Sequence, residues 1–135
     1  MRILITGDRS WYCPDLADQI VARLIKRHGL SVTIVYGAAD GVDTSFAEAD
    51  DEAGIEQDPH PARWDELGRK AGPIRNAEMV AVGADLCIAL HRSIETSKWT
   101  RDCVRQALAA GIPVWLIESE EAIPKRVQAD DKRLA

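Results

Sequence analysis

The sequence predicts an α/β fold, a single Rossmann-like domain of three layers around a mainly parallel sheet. Short apolar runs alternate with stretches of helical periodicity from end to end, which is the pattern of βαβ units. Most of these runs are nearly continuous in apolar residues, as expected of strands that are covered on both faces. At 135 residues the chain has the length of one domain with a substantial core.

The first half of the chain contains three predicted strands and two predicted helices. Pro14 suits the first turn of a helix, Asp15 beside it favours the positive end of the helix dipole, and Gly29 lies where that helix ends. The third strand is the weakest, because polar residues interrupt its apolar run. In chain order the elements are a strand at Arg2–Thr6, a helix from Pro14 to Gly29, a strand at Val32–Tyr36, a helix from Asp43 to Gly54 and a strand at Ile55–Pro59.

The second half adds two helices and two strands. Pro73 opens a helix with Ile74, Met79 and Val82 on one side, and Gly83 closes it. A strand at Ala84–Leu90, a helix from Thr100 to Gly111 and a last strand at Pro113–Ile117 follow. Residues 118–135 are highly charged with few apolar anchors, which indicates a charged tail or a short helix after a domain at residues 1–117.

The composition excludes several functional classes. The chain carries 17 basic and 22 acidic residues, a formal net charge of −5, which disfavours duplex nucleic acid and anionic membrane surfaces as partners. No apolar run approaches the roughly 20 residues that a spanning helix needs. Three cysteines without CxxC spacing predict neither a disulfide framework nor a zinc site, so we expect a cytoplasmic protein with no metal and no required cofactor.

Four segments follow predicted strands at their carboxyl ends, where ligands bind to an open parallel sheet. These segments are also the richest in glycine, hydroxyl groups and basic residues, and that coincidence is the main indication of function. They are Gly7–Trp11, Gly37–Asp43, Arg63–Asn76 and His91–Thr100.

In the first segment, Gly7 permits a close approach of the backbone to a ligand. Asp8 offers a carboxylate to sugar hydroxyls and Arg9 a guanidinium to phosphate. A surface ion pair between Asp8 and Arg9, capping the next helix, explains the same residues equally well.

In the second segment, Gly37 and Gly41 flank small residues just before a helix, a pattern that resembles a phosphate-binding turn. Neither a Walker motif nor GxGxxG is present, and glycines after a strand are often simple turns. Asp43 is expected to cap the helix first and to contact a ligand second.

The third segment is basic, whereas residues 40–60 contain acidic side chains and no Lys or Arg. Arg63, Arg75 and neighbouring bases, with Trp64 and two glycines among them, indicate a loop suited to an anionic ligand with a flat ring. A positive side chain at the start of a helix is unfavourable for the helix dipole. Arg75 is therefore expected to have another role there, such as binding a phosphate.

Six blocks of sequence, taken together and in order, resemble a known family over roughly residues 1–117. They are Gly7–Trp11, Gly37–Asp43, Ala62–Trp64, Gly72–Met79, Ala84–Leu86 and Gly111–Val114. The chain resembles the YspA/YpsA-related branch of the SLOG superfamily, and the Gly-Pro-x-Arg-Asn-x-x-Met block is the most specific. The superfamily also includes the cytokinin-activating phosphoribohydrolases, often mislabelled lysine decarboxylases, and the DprA domain, which binds single-stranded DNA.

This resemblance implies a Rossmann-like protein that binds nucleotides or nucleotide-derived ligands, often as a homodimer. It implies a first ligand loop at Gly7, Arg9 and Ser10 and a second at Gly37, Gly41 and Asp43. It also places Arg75 and Asn76 where the hydrolases carry Arg-Lys, and Ser97, Trp99 and Thr100 in the phosphate loop.

Two positions depart from the family pattern. Trp99 replaces the glycine before Thr100, which predicts a remodelled phosphate loop, a weakened one, or an indole that stacks on a base. Cys103 replaces the Glu that the phosphoribohydrolases carry three residues after that Thr. Asp102 lies about 100° away round the helix and should not substitute, and nothing in the spacing requires Glu95 to reach the cleft.

Three hypotheses remain open at this point. The first is a sensor or regulatory module that binds a nucleotide or an ADP-ribose-like ligand. The second is a hydrolase acting on the N-glycosidic or phosphate bond of such a ligand, with Asp8, Asp43 or Glu95 as the carboxylate. The third is an interaction domain for single-stranded DNA or for protein.

Overall fold

The computed structural model describes residues 1–135 and contains one six-stranded sheet. The first five strands are parallel, and the sixth is antiparallel to the fifth. The strands are β1 (Arg2–Gly7), β2 (Thr33–Tyr36), β3 (Glu56–Pro59), β4 (Leu86–Leu90), β5 (Val114–Ile117) and β6 (Lys125–Val127). Their order across the sheet is β3-β2-β1-β4-β5-β6.

Four α-helices cover the two faces of this sheet, and a fifth, a single turn, contacts one of them. They are α1 (Pro14–His28), α2 (Val42–Ala53), the single turn α3 (Trp64–Leu67), α4 (Ala71–Val82) and α5 (Trp99–Ala109). Short 3₁₀ turns occupy Gly68–Lys70, Ile94–Thr96 and Lys132–Leu134. The predicted α/β class with its mainly parallel sheet is therefore confirmed.

The core has two parts, one on each face of the sheet. In β1, Ile3 and Ile5 point into a cluster with the apolar sides of α1 and α2, while Leu4 between them points into a cluster with α4 and α5. This alternation follows from the two-residue period of a strand, and it explains why β1 is apolar at successive positions. All three side chains are fully buried.

The segment around residues 63–76 corrects the sequence analysis. We expected a loop there, but the chain is helical over most of it, through α3, a 3₁₀ turn and the start of α4 at Ala71. The expected apolar side of α4 is also wrong, because Ile74 and Val82 are 37% and 48% exposed. Its buried side instead carries Arg75 and Asn76 together with Met79.

β6 was not expected from the sequence, in which the strand ending at Ile117 is the last one predicted. Where a charged tail or short helix was expected, residues 118–135 place β6 against β5, with Val127 opposite Val114. A 3₁₀ turn then buries Leu134 against the α4–α5 side of the core. Trp115 in β5 is 37% exposed, and the Arg126 guanidinium lies 6.0 Å from its ring centroid.

The outer strands of the sheet are short and charged. β3 has four residues, including Glu56, Asp58 and Pro59, and β6 has three, beginning with Lys125 and Arg126. None of the helices has the length and apolar character required to cross a membrane.

The chain changes direction across the sheet between β1 and β4. From β1 it proceeds outward through β2 to β3, and β4 then pairs with the other side of β1 and leads outward to β5 and β6. At such a switch point the loops leaving the two central strands diverge to opposite faces and open a crevice.

Candidate functional site

Two adjoining cavities occupy the crevice at the carboxyl ends of β1 and β4. The inner cavity has a volume of about 10 Å³ and lies between the end of β1, the loop after β2, and the first turns of α4 and α5. The outer cavity has a volume of about 160 Å³ and lies between the loop after β1 and the residues leading into α5.

Most of the predicted site residues meet at these two cavities. Gly7, Arg9, Trp99 and Thr100 line both, Gly37, Asp43, Arg75 and Asn76 line the inner one, and Asp8 and Ser97 line the outer one.

Four predicted residues lie outside the cavity walls. The Ser10 amide donates a hydrogen bond to Asp8 Oδ1, and Arg63 is exposed and faces Glu66 and Glu78. Glu95 is exposed in the 3₁₀ turn before α5, where its carboxylate accepts a hydrogen bond from Ser93. Gly41 is the N-cap residue of α2 at φ +69°, a value that favours glycine, and a Cβ there would strike the backbone of Asp8 and Arg9.

Thr6 also lines the inner cavity and was not predicted from the sequence, whereas His91 and Lys98, which line the outer cavity, lie in the predicted segment His91–Thr100 without having been named as site residues. Thr6 is a polar residue near the end of an otherwise apolar strand, and His91 directly follows β4. Their positions at the two central strands were the signal that could have found them.

Arg75 is buried and holds two elements of the site together. Its Nη1 donates a hydrogen bond of 2.9 Å to the Gly37 carbonyl after β2, and its Nε donates one of 2.8 Å to Asn76 Oδ1. A Cβ at Gly37 would strike the guanidinium, so that glycine is needed for its small size. Burial lowers the pKa of Arg75, and the nearby Asp43 carboxylate opposes that shift.

Asn76 connects α4 to α5. Its side-chain amide donates hydrogen bonds to the Trp99 carbonyl at 3.1 Å and to Asp102 Oδ2 at 2.9 Å. Gln106 donates to the same Asp102 oxygen, so this carboxylate is held at the helix interface and does not line the cavities.

Asp43 is buried in the first turn of α2, but it is not the N-cap residue that we expected. Its Oδ2 accepts a hydrogen bond of 3.1 Å from the Ala39 amide in the preceding loop, and its Oδ1 has no hydrogen-bond partner. Burial raises the pKa of this carboxyl to about 6, while the Ala39 amide and the Arg75 charge limit the rise. The carboxyl therefore titrates close to neutral pH.

Asp8 and Arg9 do not form the surface ion pair that was the alternative interpretation. Asp8 accepts a hydrogen bond from the Ser10 amide and faces His91 and Arg92 at 3.9 and 3.8 Å. The Arg9 guanidinium lies 4.9 Å from the centre of the Trp64 ring. Arg9 is thus directed over an aromatic surface beside the crevice.

Comparison of the sequence with known proteins shows the family of this chain. The model of the YspA, cpYpsA-related SLOG family matches residues 1–66. The chain is also 36% identical over 118 residues to the Gene 61 protein of Mycobacterium phage D29, which covers 84% of this chain and 93% of the phage protein. The chain belongs to the YspA-related SLOG family. No solved structure shows significant similarity to it.

Trp99 is the first residue of α5 in this SLOG protein and has an ordinary backbone conformation. Ala38 is the only residue other than glycine with a positive φ, so the indole replaces the family glycine without backbone strain. The Ser97 hydroxyl accepts hydrogen bonds from the Thr100 and Arg101 amides at 3.0 and 3.3 Å. Two amides of the first turn of α5 are therefore already capped by this side chain.

The Trp99 side chain of the SLOG protein packs against α4 and Trp64. A Cβ at Gly72 would lie 2.8 Å from Cε3 of the indole, so the ring rests directly on that glycine. The Trp64 and Trp99 rings are 5.6 Å apart at an angle of 50°, and the Lys98 ammonium lies 5.0 Å from the Trp99 ring centroid.

Cys103, which the resemblance aligns with the hydrolase Glu, is fully buried near Thr6 and Arg75. Burial raises the pKa of its thiol to about 12, although the Thr6 hydroxyl and Arg75 act in the opposite direction. A neutral, buried thiol cannot stabilise positive charge as a carboxylate does. Cys13 and Cys87 are likewise buried and free.

Proposed function

We propose that this SLOG protein binds a nucleotide or a nucleotide-derived, ADP-ribose-like ligand in the crevice between β1 and β4 and acts as a sensor or regulatory module. One observation carries the proposal. Two cations, Arg9 and Lys98, lie over the Trp64–Trp99 pair beside the outer cavity. Cations and aromatic faces together suit a ligand that combines phosphate with a flat base.

The charge around the outer cavity supports this proposal although the whole chain is acidic. Lys98 lines that cavity with Arg9, and the Asp8 carboxylate there faces the Arg92 guanidinium at 3.8 Å. His91 adds a neutral ring, because burial lowers its pKa and its Nδ1 accepts a hydrogen bond from the Ser93 amide. Cys103 in place of a carboxylate favours binding without bond cleavage.

Isothermal titration with AMP, ADP, ATP, NAD and ADP-ribose tests the proposal. We expect saturable binding of at least one of them. Arg9→Ala and Lys98→Ala should each weaken that binding by about tenfold or more, since a hydrogen bond to a charged group contributes about 1.5–3 kcal/mol. Lys125→Ala in β6 is the matched control and should bind as the wild type does. Absence of saturable binding across the panel contradicts the proposal.

Native mass spectrometry of gently purified protein is an independent test. A retained adduct of nucleotide mass supports the proposal, and the same spectrum gives the mass of the oligomer. We expect the mass of a homodimer.

A second candidate function, hydrolysis of the N-glycosidic or phosphate bond of the same ligand, is favoured by Asp43. Its carboxyl lines the inner cavity with one unpartnered oxygen, and its pKa of about 6 suits a general acid or base near neutral pH. If this function is present, chromatography should detect base or phosphate released by the wild type. A folded Asp43→Asn variant should release neither. Unchanged ligand after prolonged incubation with wild type excludes it for the ligand tested.

A further inference from the structure

The inner cavity is small and strongly polar for its size. Its volume of about 10 Å³ is roughly the space of one water molecule, yet the side chains of Thr6, Asp43, Arg75 and Thr100 in its wall are each buried by more than nine-tenths. Asp43 Oδ1 is buried there without a hydrogen-bond partner. Buried polar atoms are normally paired, and a cavity of this size has room for one water or one hydroxyl, so this oxygen is a site for a small hydrogen-bond donor that enters the cavity.

Trp99 is one of four residues that the walls of the two cavities share, with Gly7, Arg9 and Thr100. It lines both cavities, and its ring rests on Gly72 with no Cβ between the indole and the α4 backbone. Its other neighbours, Trp64 and Lys98, are themselves exposed. The Trp99 backbone is fixed in the capped first turn of α5, so only the side chain is free to move.

We propose that Trp99 is a side-chain lid that closes the inner cavity, and that rotation of the indole away from Gly72 admits a neutral, hydroxyl-bearing group to Asp43. For the ligand this inference rests on the proposed function, and it assigns the sugar hydroxyls of the nucleotide to the inner cavity. The rotation of the Trp99 side chain is expected in the free protein and does not depend on a ligand.

The chemistry of the inner cavity favours hydroxyls over phosphate. Two nitrogens of Arg75 are already committed to Gly37 and Asn76, and an ionised Asp43 repels an anion. A hydroxyl can donate to Asp43 Oδ1 and also accept from a neighbouring donor. Phosphate is better placed outside, beside Arg9 and Lys98.

Fluorine NMR of protein labelled with 5-fluorotryptophan tests the lid without any ligand. The chain has four tryptophans, and Trp99→Phe identifies the resonance of interest. Gly72→Ala adds a methyl group 2.8 Å from the indole and should move the Trp99 resonance towards its solvent-exposed position. Ile74→Ala, on the exposed side of α4, should leave it in place. An unchanged Trp99 resonance in a folded Gly72→Ala variant overturns the lid.

Titration with AMP and with 2′,3′-dideoxy-AMP tests which group enters. Opening the lid by Gly72→Ala, which keeps the indole as an aromatic surface, should increase the affinity for AMP by about tenfold, because binding no longer includes the cost of opening. The affinity for the dideoxy compound should stay as in wild type, and Asp43→Asn should reduce the difference between the two nucleotides.

Other results of these titrations would contradict one part of the proposal or the other. An equal gain for both nucleotides overturns the assignment of the hydroxyls to the inner cavity. An affinity for AMP that stays as in wild type in a folded Gly72→Ala variant overturns the lid. Absence of nucleotide binding by wild type and all variants rejects the proposed function and with it the assignment of the sugar, while the fluorine spectra still decide the lid.

Discussion

Gly37 and Gly72 are important for the volume that they leave free. The Arg75 guanidinium occupies the space of a Cβ at Gly37, and the Trp99 indole occupies that of a Cβ at Gly72. From the sequence, Gly37 was interpreted as part of a turn suited to phosphate. The structure adds a different reason for it, because a long side chain from α4 crosses the end of β2 at that point.

Asp50 is a second buried carboxyl, and it lies in α2 away from the cavities. Neither of its oxygens has a hydrogen-bond partner, and burial raises its pKa from 3.8 to about 7. Between these two values the folded protein holds a proton that the unfolded chain has released. The free energy of unfolding should therefore decrease as the pH rises from about 4 to 7 and level off above that range.

Asp50→Asn removes this titration and should make the protein more stable than wild type. We expect the advantage to grow by about 2–3 kcal/mol between pH 5 and pH 8, since each pKa unit corresponds to about 1.4 kcal/mol. Urea unfolding of both proteins at the two pH values measures it. Asp43 shifts in the same direction and remains in both proteins, so it cancels in the comparison. If the free energies of unfolding of the two proteins change equally between the two pH values, Asp50 is not responsible for the pH dependence.

At the scale of elements, hydrophobic periodicity predicted β1 to β5, α1, α2 and α5 to within a few residues. It also predicted a helix at α4 but gave the wrong buried side, because Arg75 and Asn76 take up buried positions while Ile74 is exposed. The group that satisfies Arg75 is the Gly37 carbonyl, 38 residues earlier, and no local pattern reveals such a partner. The loops of the candidate site could be predicted from the sequence. The arrangement of its inner wall could not, because it depends on contacts between residues far apart in the chain.

The C-terminal segment was missed for a related reason. β6 is short and begins with two charged residues, so it has no apolar pattern of its own and depends on pairing with β5. Arg133 anchors the following turn through Glu118 and Asp131, at 2.6 and 2.8 Å.

Leu134 should contribute strongly to stability despite lying next to the end of the chain. It is 3% exposed and packs in the α4–α5 core, so Leu134→Ala should lower the free energy of unfolding by about 2–4 kcal/mol. Ile123→Ala is the matched control, since Ile123 is 79% exposed and should change stability by less than about 0.5 kcal/mol. Urea denaturation measures both, and equal midpoints for the two variants would contradict this role for the C-terminal turn.

At the scale of the whole molecule, the single sheet joins the two parts of the core. Successive residues of β1 belong to opposite clusters, so neither cluster can come apart without disturbing the other. We expect one cooperative unfolding transition, as is usual for a domain of this size.

Two buried thiols report on this cooperativity. Cys13 lies in the α1–α2 cluster and Cys103 in the α4–α5 cluster. Labelling with a thiol reagent at increasing urea, followed by peptide mass analysis, should show both becoming reactive at the same urea concentration. Separate midpoints would show that the two faces unfold independently.

The short, charged outer strands also bear on how the protein behaves when it is crowded with copies of itself. An exposed strand edge is a template on which another chain can add a strand and begin an aggregate. Here one edge offers four residues, of which Pro59 has no amide hydrogen, and the other offers three. Neither edge supports a long hydrogen-bonded ladder, so the folded protein should remain dispersed at concentrations where a long, apolar edge would recruit further chains.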